Sequence, residues 1–172
     1  MVTTRHLTGA SLVAGLVSLV GLIVGLADPA YYAPEDPIDY LAALLNTAGP
    51  VAAAAALAIW WRVTPVRRGA ALVLLGAVAA LVFGLGNFLE DIAGVEWGFA
   101  LFGIGGMATV VTLGLGGLLA LTVKDPWRWS GLFLIAVAAG PALDSGEVWV
   151  LAWLGFAVAL QRGLFPAPVR AR

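Results

Sequence analysis

The fold is decided by residues 69–123, which read GAALVLLGAVAALVFGLGNFLEDIAGVEWGFALFGIGGMATVVTLGLGGLLALTV. Within this segment two apolar stretches, Gly69–Leu89 and Gly98–Val123, flank a short connection that carries Glu90, Asp91 and Glu96. A helix needs about 20 apolar residues to cross the hydrocarbon core of a bilayer, and both stretches reach that length. The segment therefore predicts two membrane-spanning helices joined by an acidic loop.

The rest of the chain repeats this pattern. Of its 172 residues 62% are hydrophobic and only 11% are charged, whereas an average soluble domain is about 25% charged. This composition excludes a disordered, collagenous or nucleic-acid-binding chain. We expect a single integral membrane domain over residues 1–172, an all-α polytopic transmembrane helical bundle. Its six spans are expected at residues 7–27, 41–61, 69–89, 98–123, 129–143 and 148–160.

The last two of these stretches are shorter than the others. Fifteen helical residues rise about 22 Å, which is several Å less than the thickness of the apolar core. We expect two short helices that cross a locally thinned bilayer. The alternative is a re-entrant hairpin, which would leave Asp144 and Glu147 near mid-membrane at a cost of about 2.5–3.5 kcal/mol for such a carboxylate.

The charged residues are divided between the two ends of the spans. If the N-terminus is cytoplasmic, all nine Lys and Arg fall in inner segments, and every acidic residue except Asp125 falls in an outer loop. Short cytoplasmic loops are enriched in Lys and Arg, so this division predicts a multi-pass protein of the cytoplasmic (inner) membrane with both termini inside. The first stretch is longer than the apolar region of a signal peptide, about 7–15 residues, and a retained helix is expected.

The residue types that are missing exclude several kinds of site. The chain has no Cys, its one His is His6 and its one Lys is Lys124, and neither of these lies inside an apolar stretch. Disulfides, thiolate metal sites, a haem held by two histidines and a retinal Schiff base are therefore excluded. No charge lies near the middle of a long stretch, so a voltage sensor or a proton relay is not expected. We expect no cofactor, no metal and no catalytic residue.

One group of polar residues suggests a ligand site at the outer side. Asn87, Glu90 and Asp91 have i, i+3 and i+4 spacing and share one face if the third helix continues that far. With Trp97 they would form a carboxylate-lined, aromatic-flanked mouth able to bind a cation or an amine. The alternative is a solvated outer loop with a tryptophan at the membrane interface.

Three further residues complete the candidate ligand-binding set. Asn46 lies one turn before Pro50, which cannot donate a hydrogen bond to the Asn46 carbonyl and is expected to kink the second helix beside a small cavity. The alternative is a hydrogen-bonded contact between helices. Asp144 and Glu147 lie in the outer connection between the last two stretches.

Small residues recur four apart on five of the stretches, a spacing that lets helix backbones approach each other closely. We expect a compact bundle surrounded by the lipid bilayer; the alternative is a face reserved for a membrane protein partner or for self-association. Most tryptophans fall near the predicted ends of spans, and Trp60, Trp61, Trp127, Trp129 and Trp149 are expected to anchor there. The runs are Ala10–Ala14–Ser18, Gly21–Gly25, Ala48–Ala52–Ala56, Gly76–Ala80–Gly84, Ala108–Thr112–Gly116–Ala120 and Gly155–Ala159–Gly163.

Four short motifs carry a resemblance over the whole chain. They are Asp36-Pro37-Ile38-Asp39-Tyr40, Gly86-Asn87-Phe88-Leu89-Glu90-Asp91, Trp129-Ser130-Gly131 and Ala152-Trp153-Leu154-Gly155. The chain resembles a broad group of uncharacterised small multi-pass membrane proteins of high-GC bacteria. This resemblance implies a membrane bundle and no particular activity.

Three functions fit these observations. The first is a non-catalytic subunit or membrane interaction protein, since no site chemistry stands out. The second is a small-molecule-binding transport subunit, because six spans with both termini inside and the Ala10/Ala14 face resemble the substrate-binding component of energy-coupling-factor vitamin transporters. The third is a membrane-embedded acid-catalysed isomerase or cyclase acting on a lipid, in which Glu90 or Asp91 donates a proton and Trp97 or Trp153 stabilises a cation.

Overall fold

The computed structural model describes residues 2–27 and 36–165, and it is all-α across them, with six α-helices and no strand. The prediction of six helices is confirmed, and each helix covers most of a predicted stretch. The predicted sides of Asp28, Glu35, Arg170 and Arg172 concern residues outside the described part of the chain. The helices are α1 (Thr4–Ala27), α2 (Pro37–Val63), α3 (Ala70–Asn87), α4 (Gly98–Leu121), α5 (Ser130–Ala142) and α6 (Gly146–Gln161).

Two short helical segments adjoin these helices. A π-helix, Phe88–Ile92, continues α3, and a 3₁₀ turn, Pro126–Trp129, leads into α5. Counting the π-helix with α3, four helices in the described part of the chain are long and apolar enough to cross a membrane; they are the first four in the chain. This finding indicates a membrane protein, and it leaves α5 and α6 as shorter apolar helices.

The six helices form a closed ring in chain order. Each helix packs against the next one along the chain, and α6 packs back against α1. Short connections make consecutive helices antiparallel. As a result the described Lys and Arg residues lie at one end of the bundle, which we call the basic end. The opposite end, the acidic end, holds Asp36, Asp39, Glu90, Asp91, Glu96, Asp144 and Glu147.

Glycines set the closest contacts in this ring. A Cβ atom added to Gly86 of α3 would lie 2.2 Å from the Phe102 backbone nitrogen of α4, and one added to Gly105 would lie 2.3 Å from the Phe83 backbone nitrogen. Many of the small residues singled out in the sequence pack in the same way inside one chain; Gly76, for example, accommodates Leu113. Small residues therefore hold this bundle together by close backbone approach.

The basic end is filled by aromatic side chains. Trp60, Trp127 and Trp153 are each 1% exposed. Trp60 Nε1 donates to Ser130 Oγ across the ring (3.1 Å), and Ser130 Oγ donates to the Trp127 carbonyl (2.7 Å). The expectation that Trp60, Trp127 and Trp149 anchor the protein at the interface is wrong, because all three are buried in the core.

The acidic end is fixed locally by the cap of α2. Asp36 accepts hydrogen bonds from the backbone nitrogens of Ile38 (2.7 Å) and Asp39 (3.1 Å), and the Asp39 side chain accepts one from the Asp36 nitrogen (3.3 Å). This reciprocal pair satisfies donors that the first turn of a helix leaves unpaired.

We expect Asp36→Ala to lower the free energy of unfolding by about 1 kcal/mol, because it removes the acceptor of both N-terminal hydrogen bonds. Asp36→Asn keeps an acceptor and should lose less. Reversible unfolding in mixed detergent–SDS micelles measures the difference. Glu96→Ala is the matched control, since Glu96 is exposed and caps nothing; an equal loss in both variants would contradict the assignment of the cap.

Candidate ligand cavity

A cavity of about 640 Å³ opens in the acidic half of the ring. Its walls come from all six helices, from the π-helix and from the connection between α5 and α6. Small-molecule sites in proteins have volumes of about 300–1,000 Å³, and they are mostly apolar with a few convergent polar groups. The cavity has this size and this mixture of side chains.

Six of the seven residues predicted to bind a ligand line this one cavity. The seventh, Trp97, does not line it, whereas Phe99, two residues later, does. The ring thus brings together polar residues that are up to 101 positions apart in the chain. The six are Asn46, Asn87, Glu90, Asp91, Asp144 and Glu147.

The π-helix explains how neighbouring carboxylates both reach the cavity. The Ala93 nitrogen donates to the Phe88 carbonyl five residues back (3.1 Å), and this wider turn carries Glu90 and Asp91. Gly98 at the start of α4 packs directly on it, since a Cβ atom there would lie 2.6 Å from the Glu90 nitrogen. Single π-turns of this kind occur often at functional sites.

Asn87 joins α3 to α2 in the cavity wall. Its side chain is 9% exposed, and its Nδ2 donates to the Ala43 carbonyl (3.4 Å) and to Thr47 Oγ1 (3.3 Å). Asn87 therefore ties α3 to α2 and holds this part of the cavity wall in place.

Asn46 occupies the wall contributed by α2. Its Oδ1 lies close to α1, 3.2 Å from where a Cβ atom on Gly21 would be, and its side chain has no hydrogen-bond partner among the described residues. Pro50, one turn later, also lines the cavity and has no N–H to offer the Asn46 carbonyl. The hydrogen bond between helices in this part of α2 is made by the neighbouring Thr47, whose Oγ1 accepts from Asn87 Nδ2.

Several lining residues were missed in the sequence. Trp149 Nε1 of α6 donates to Ser18 Oγ of α1 (3.1 Å), which closes the ring beside the cavity. The rings of Phe83 and Phe102 pack at 4.6 Å between centroids on the wall formed by α3 and α4. The only signal for these positions was Ser18, one of three hydroxyl residues in its apolar stretch, because helix pairing is not encoded in spacing along one chain.

The polar lining is acidic and has no basic counterpart. None of the four carboxylates at 90, 91, 144 and 147 pairs with a Lys or Arg among the described residues, since those bases lie at the other end of the bundle. Ser145 Oγ donates to Glu147 Oε2 (2.9 Å). Over residues 2–27 and 36–165, no group of three potential metal ligands is arranged to hold a metal ion. The cavity therefore presents negative charge without a fixed partner.

Comparison with protein-family models, with curated proteins and with solved structures gives no match for this chain. What the protein does must therefore be inferred from the cavity and from the residues that line it.

Proposed function

We propose that this protein crosses the cytoplasmic membrane six times, with both termini inside, and binds a small molecule in the cavity between its helices. The observation that carries the proposal is the convergence, on one cavity of suitable size, of six polar residues predicted in three separate parts of the chain. This convergence favours a small-molecule-binding transport subunit over a non-catalytic interaction protein, which was the first choice from sequence alone.

The distribution of charge supports the orientation. Arg5, Arg62, Arg67, Arg68, Lys124, Arg128 and Arg162 mark the basic end, and Arg170 and Arg172 follow in the sequence. Enrichment of Lys and Arg in short cytoplasmic loops then places the basic end inside and the acidic end outside. In this orientation the cavity opens to the outer side of the membrane.

The short hairpin of α5 and α6 fits a complete crossing better than a re-entrant loop. Asp144 and Glu147 are exposed at the turn between these helices, and Ser145 caps α6 by accepting from the Val148 nitrogen (3.3 Å). Carboxylates at mid-membrane would be costly, whereas at the outer surface they are hydrated. We propose that both helices cross, with the 3₁₀ turn Pro126–Trp129 adding length to α5.

The two other functions have less support. Acid catalysis on a lipid requires a carboxylate enclosed in an apolar pocket, but Glu90 and Asp91 are only half-buried. A membrane protein partner or self-association would use outward faces of the helices, and much of the small-residue spacing that suggested it is used inside the ring.

A pair of single-cysteine variants tests the cavity, because the natural chain contains no Cys. Leu45 lines the cavity, whereas the adjacent Leu44 faces outward and is 49% exposed. In intact cells we expect a membrane-impermeant thiol reagent to label Leu45→Cys rapidly from outside. Leu44→Cys should label at least tenfold more slowly, since a thiol that faces lipid does not ionise. Equal labelling of the two variants, or reaction of Leu45→Cys only from the cytoplasmic side, would contradict the proposal.

A further inference from the structure

We propose that the ligand of this cavity is an organic cation: an ammonium group attached to an apolar body. The inference rests on the proposed function, since it names the class of molecule that the same cavity binds. It is carried by three features of the lining, which are its charge, its excess of hydrogen-bond acceptors and its aromatic walls.

The charge of the lining excludes anionic ligands. Four carboxylates border the cavity and no Lys or Arg does. An anion would meet repulsion from each of them, whereas a cation is attracted, and a low-dielectric wall strengthens both effects. Binding of a cation therefore gives these acidic residues the counter-charge that the described chain does not supply.

The hydrogen-bonding groups of the lining are mostly acceptors. The donors of the buried wall are already used: Trp149 Nε1 donates to Ser18, and Asn87 Nδ2 donates to α2. No donor among the described residues reaches Asn87 Oδ1, although this side chain is nine-tenths buried. A ligand with N–H groups matches this pattern, since every ammonium proton needs an acceptor.

The aromatic residues distinguish an organic cation from a metal ion. Phe83, Phe102 and Trp149 line the cavity with the carboxylates. Ring faces attract ammonium groups and also provide apolar contact area. A bare metal ion would leave most of the 640 Å³ unfilled, and the described residues contain no cluster of three metal ligands.

Charged thiol reagents test the sign of the charge that the cavity prefers. Leu45→Cys is treated in membrane vesicles with cationic methanethiosulfonate ethyltrimethylammonium and with anionic methanethiosulfonate ethylsulfonate. The comparison variant adds Glu90→Gln, Asp91→Asn, Asp144→Asn and Glu147→Gln. We expect the ratio of cationic to anionic labelling rates to fall about tenfold in the comparison variant, the size expected for four screened charges at about 8 Å. An unchanged ratio would overturn the inference.

Labelling with a neutral reagent distinguishes two outcomes: either the inference about charge is wrong, or Leu45 does not lie in an accessible cavity. Methyl methanethiosulfonate should label Leu45→Cys in both variants, and a few-fold faster without the four carboxylates, because their removal favours the thiolate. If no reagent labels Leu45→Cys, the proposed function itself is wrong. If the fourfold variant loses neutral labelling through misfolding, Asp144→Asn with Glu147→Gln replaces it, because both residues are exposed at a turn. This pair should give about a threefold fall, and no fall would overturn the inference.

Protection from labelling tests the apolar body of the ligand. We expect benzylammonium to slow labelling of Leu45→Cys by methyl methanethiosulfonate at a concentration at least tenfold lower than methylammonium requires. Benzenesulfonate, which has the same ring with a negative charge, should not protect. Equal protection by the two ammonium ions would show that the cavity binds the ammonium group without contacting an apolar body, and would contradict that part of the inference. Protection by benzenesulfonate would overturn the preference for cations.

Discussion

Gly105→Ala is expected to lower the free energy of unfolding by about 3 kcal/mol, at the upper end of the usual cost of overpacking. The added Cβ atom would lie 2.3 Å from the Phe83 nitrogen, 2.7 Å from the Phe83 Cα and 2.9 Å from the Ala79 carbonyl oxygen. All three are backbone atoms, so no side chain can rotate away, and α3 and α4 must separate. Thermal unfolding in mild detergent, or titration with SDS, measures the loss.

The same helix offers matched controls for Gly105. Gly103 and Gly114 are also in α4, and a Cβ atom on either would meet nothing within 4 Å. Alanine at these positions should therefore be neutral or stabilise the helix by about 0.5 kcal/mol, since glycine in a helix is less favourable than alanine. If all three substitutions lower the free energy of unfolding equally, the assignment of a close backbone contact between α3 and α4 is wrong.

Trp60→Ala is expected to lower the free energy of unfolding by about 3–5 kcal/mol, the range for removal of a large aromatic side chain from a core. Trp60 is fully enclosed, and its Nε1 makes the hydrogen bond to Ser130 that crosses the ring from α2 to α5. Its removal leaves a void at the basic end and leaves a buried hydroxyl with one partner fewer. SDS titration of the variant beside the natural protein measures the effect.

Two variants serve as controls for Trp60→Ala. Trp97→Ala removes the same side chain from a site that is 60% exposed, and it should change stability by less than about 0.5 kcal/mol. Trp60→Phe keeps most of the volume and loses the hydrogen bond, so a cost of about 1 kcal/mol is expected. A loss for Trp97→Ala as large as that for Trp60→Ala would show that burial at position 60 is not the cause.

Local patterns in the sequence were sufficient to predict the helices and one face of the site. Apolar stretches of the right length give the six helices because each helix satisfies its backbone hydrogen bonds internally, without a partner. The i, i+3 and i+4 spacing predicts that Asn87, Glu90 and Asp91 share a face of one α-helix; in the structure all three line the cavity, and a π-helix carries the two carboxylates. The π-helix that carries the two carboxylates has no comparable signal.

Features that depend on how helices pair were not predictable. Burial of Trp60 and Trp127 follows from closure of the ring, which turns residues near the ends of helices inward. The contact of α6 with α1 joins Trp149 to Ser18, 131 positions away, and apolar periodicity carries no information about such a contact. Trp97 precedes α4 and is not among the residues that line the cavity.

The closed ring is the central claim, since without contact between α1 and α6 the cavity has no complete wall. A Cβ atom on Gly15 would lie 2.8 Å from Leu154 Cγ and 3.2 Å from the Leu154 nitrogen, which brings a cysteine pair at these positions within disulfide range. Oxidation of Gly15→Cys with Leu154→Cys in native membranes should form an intramolecular disulfide rapidly. Val13→Cys with Leu154→Cys should not, because Val13 faces outward. Equal cross-linking of both pairs, or of neither, would contradict the ring.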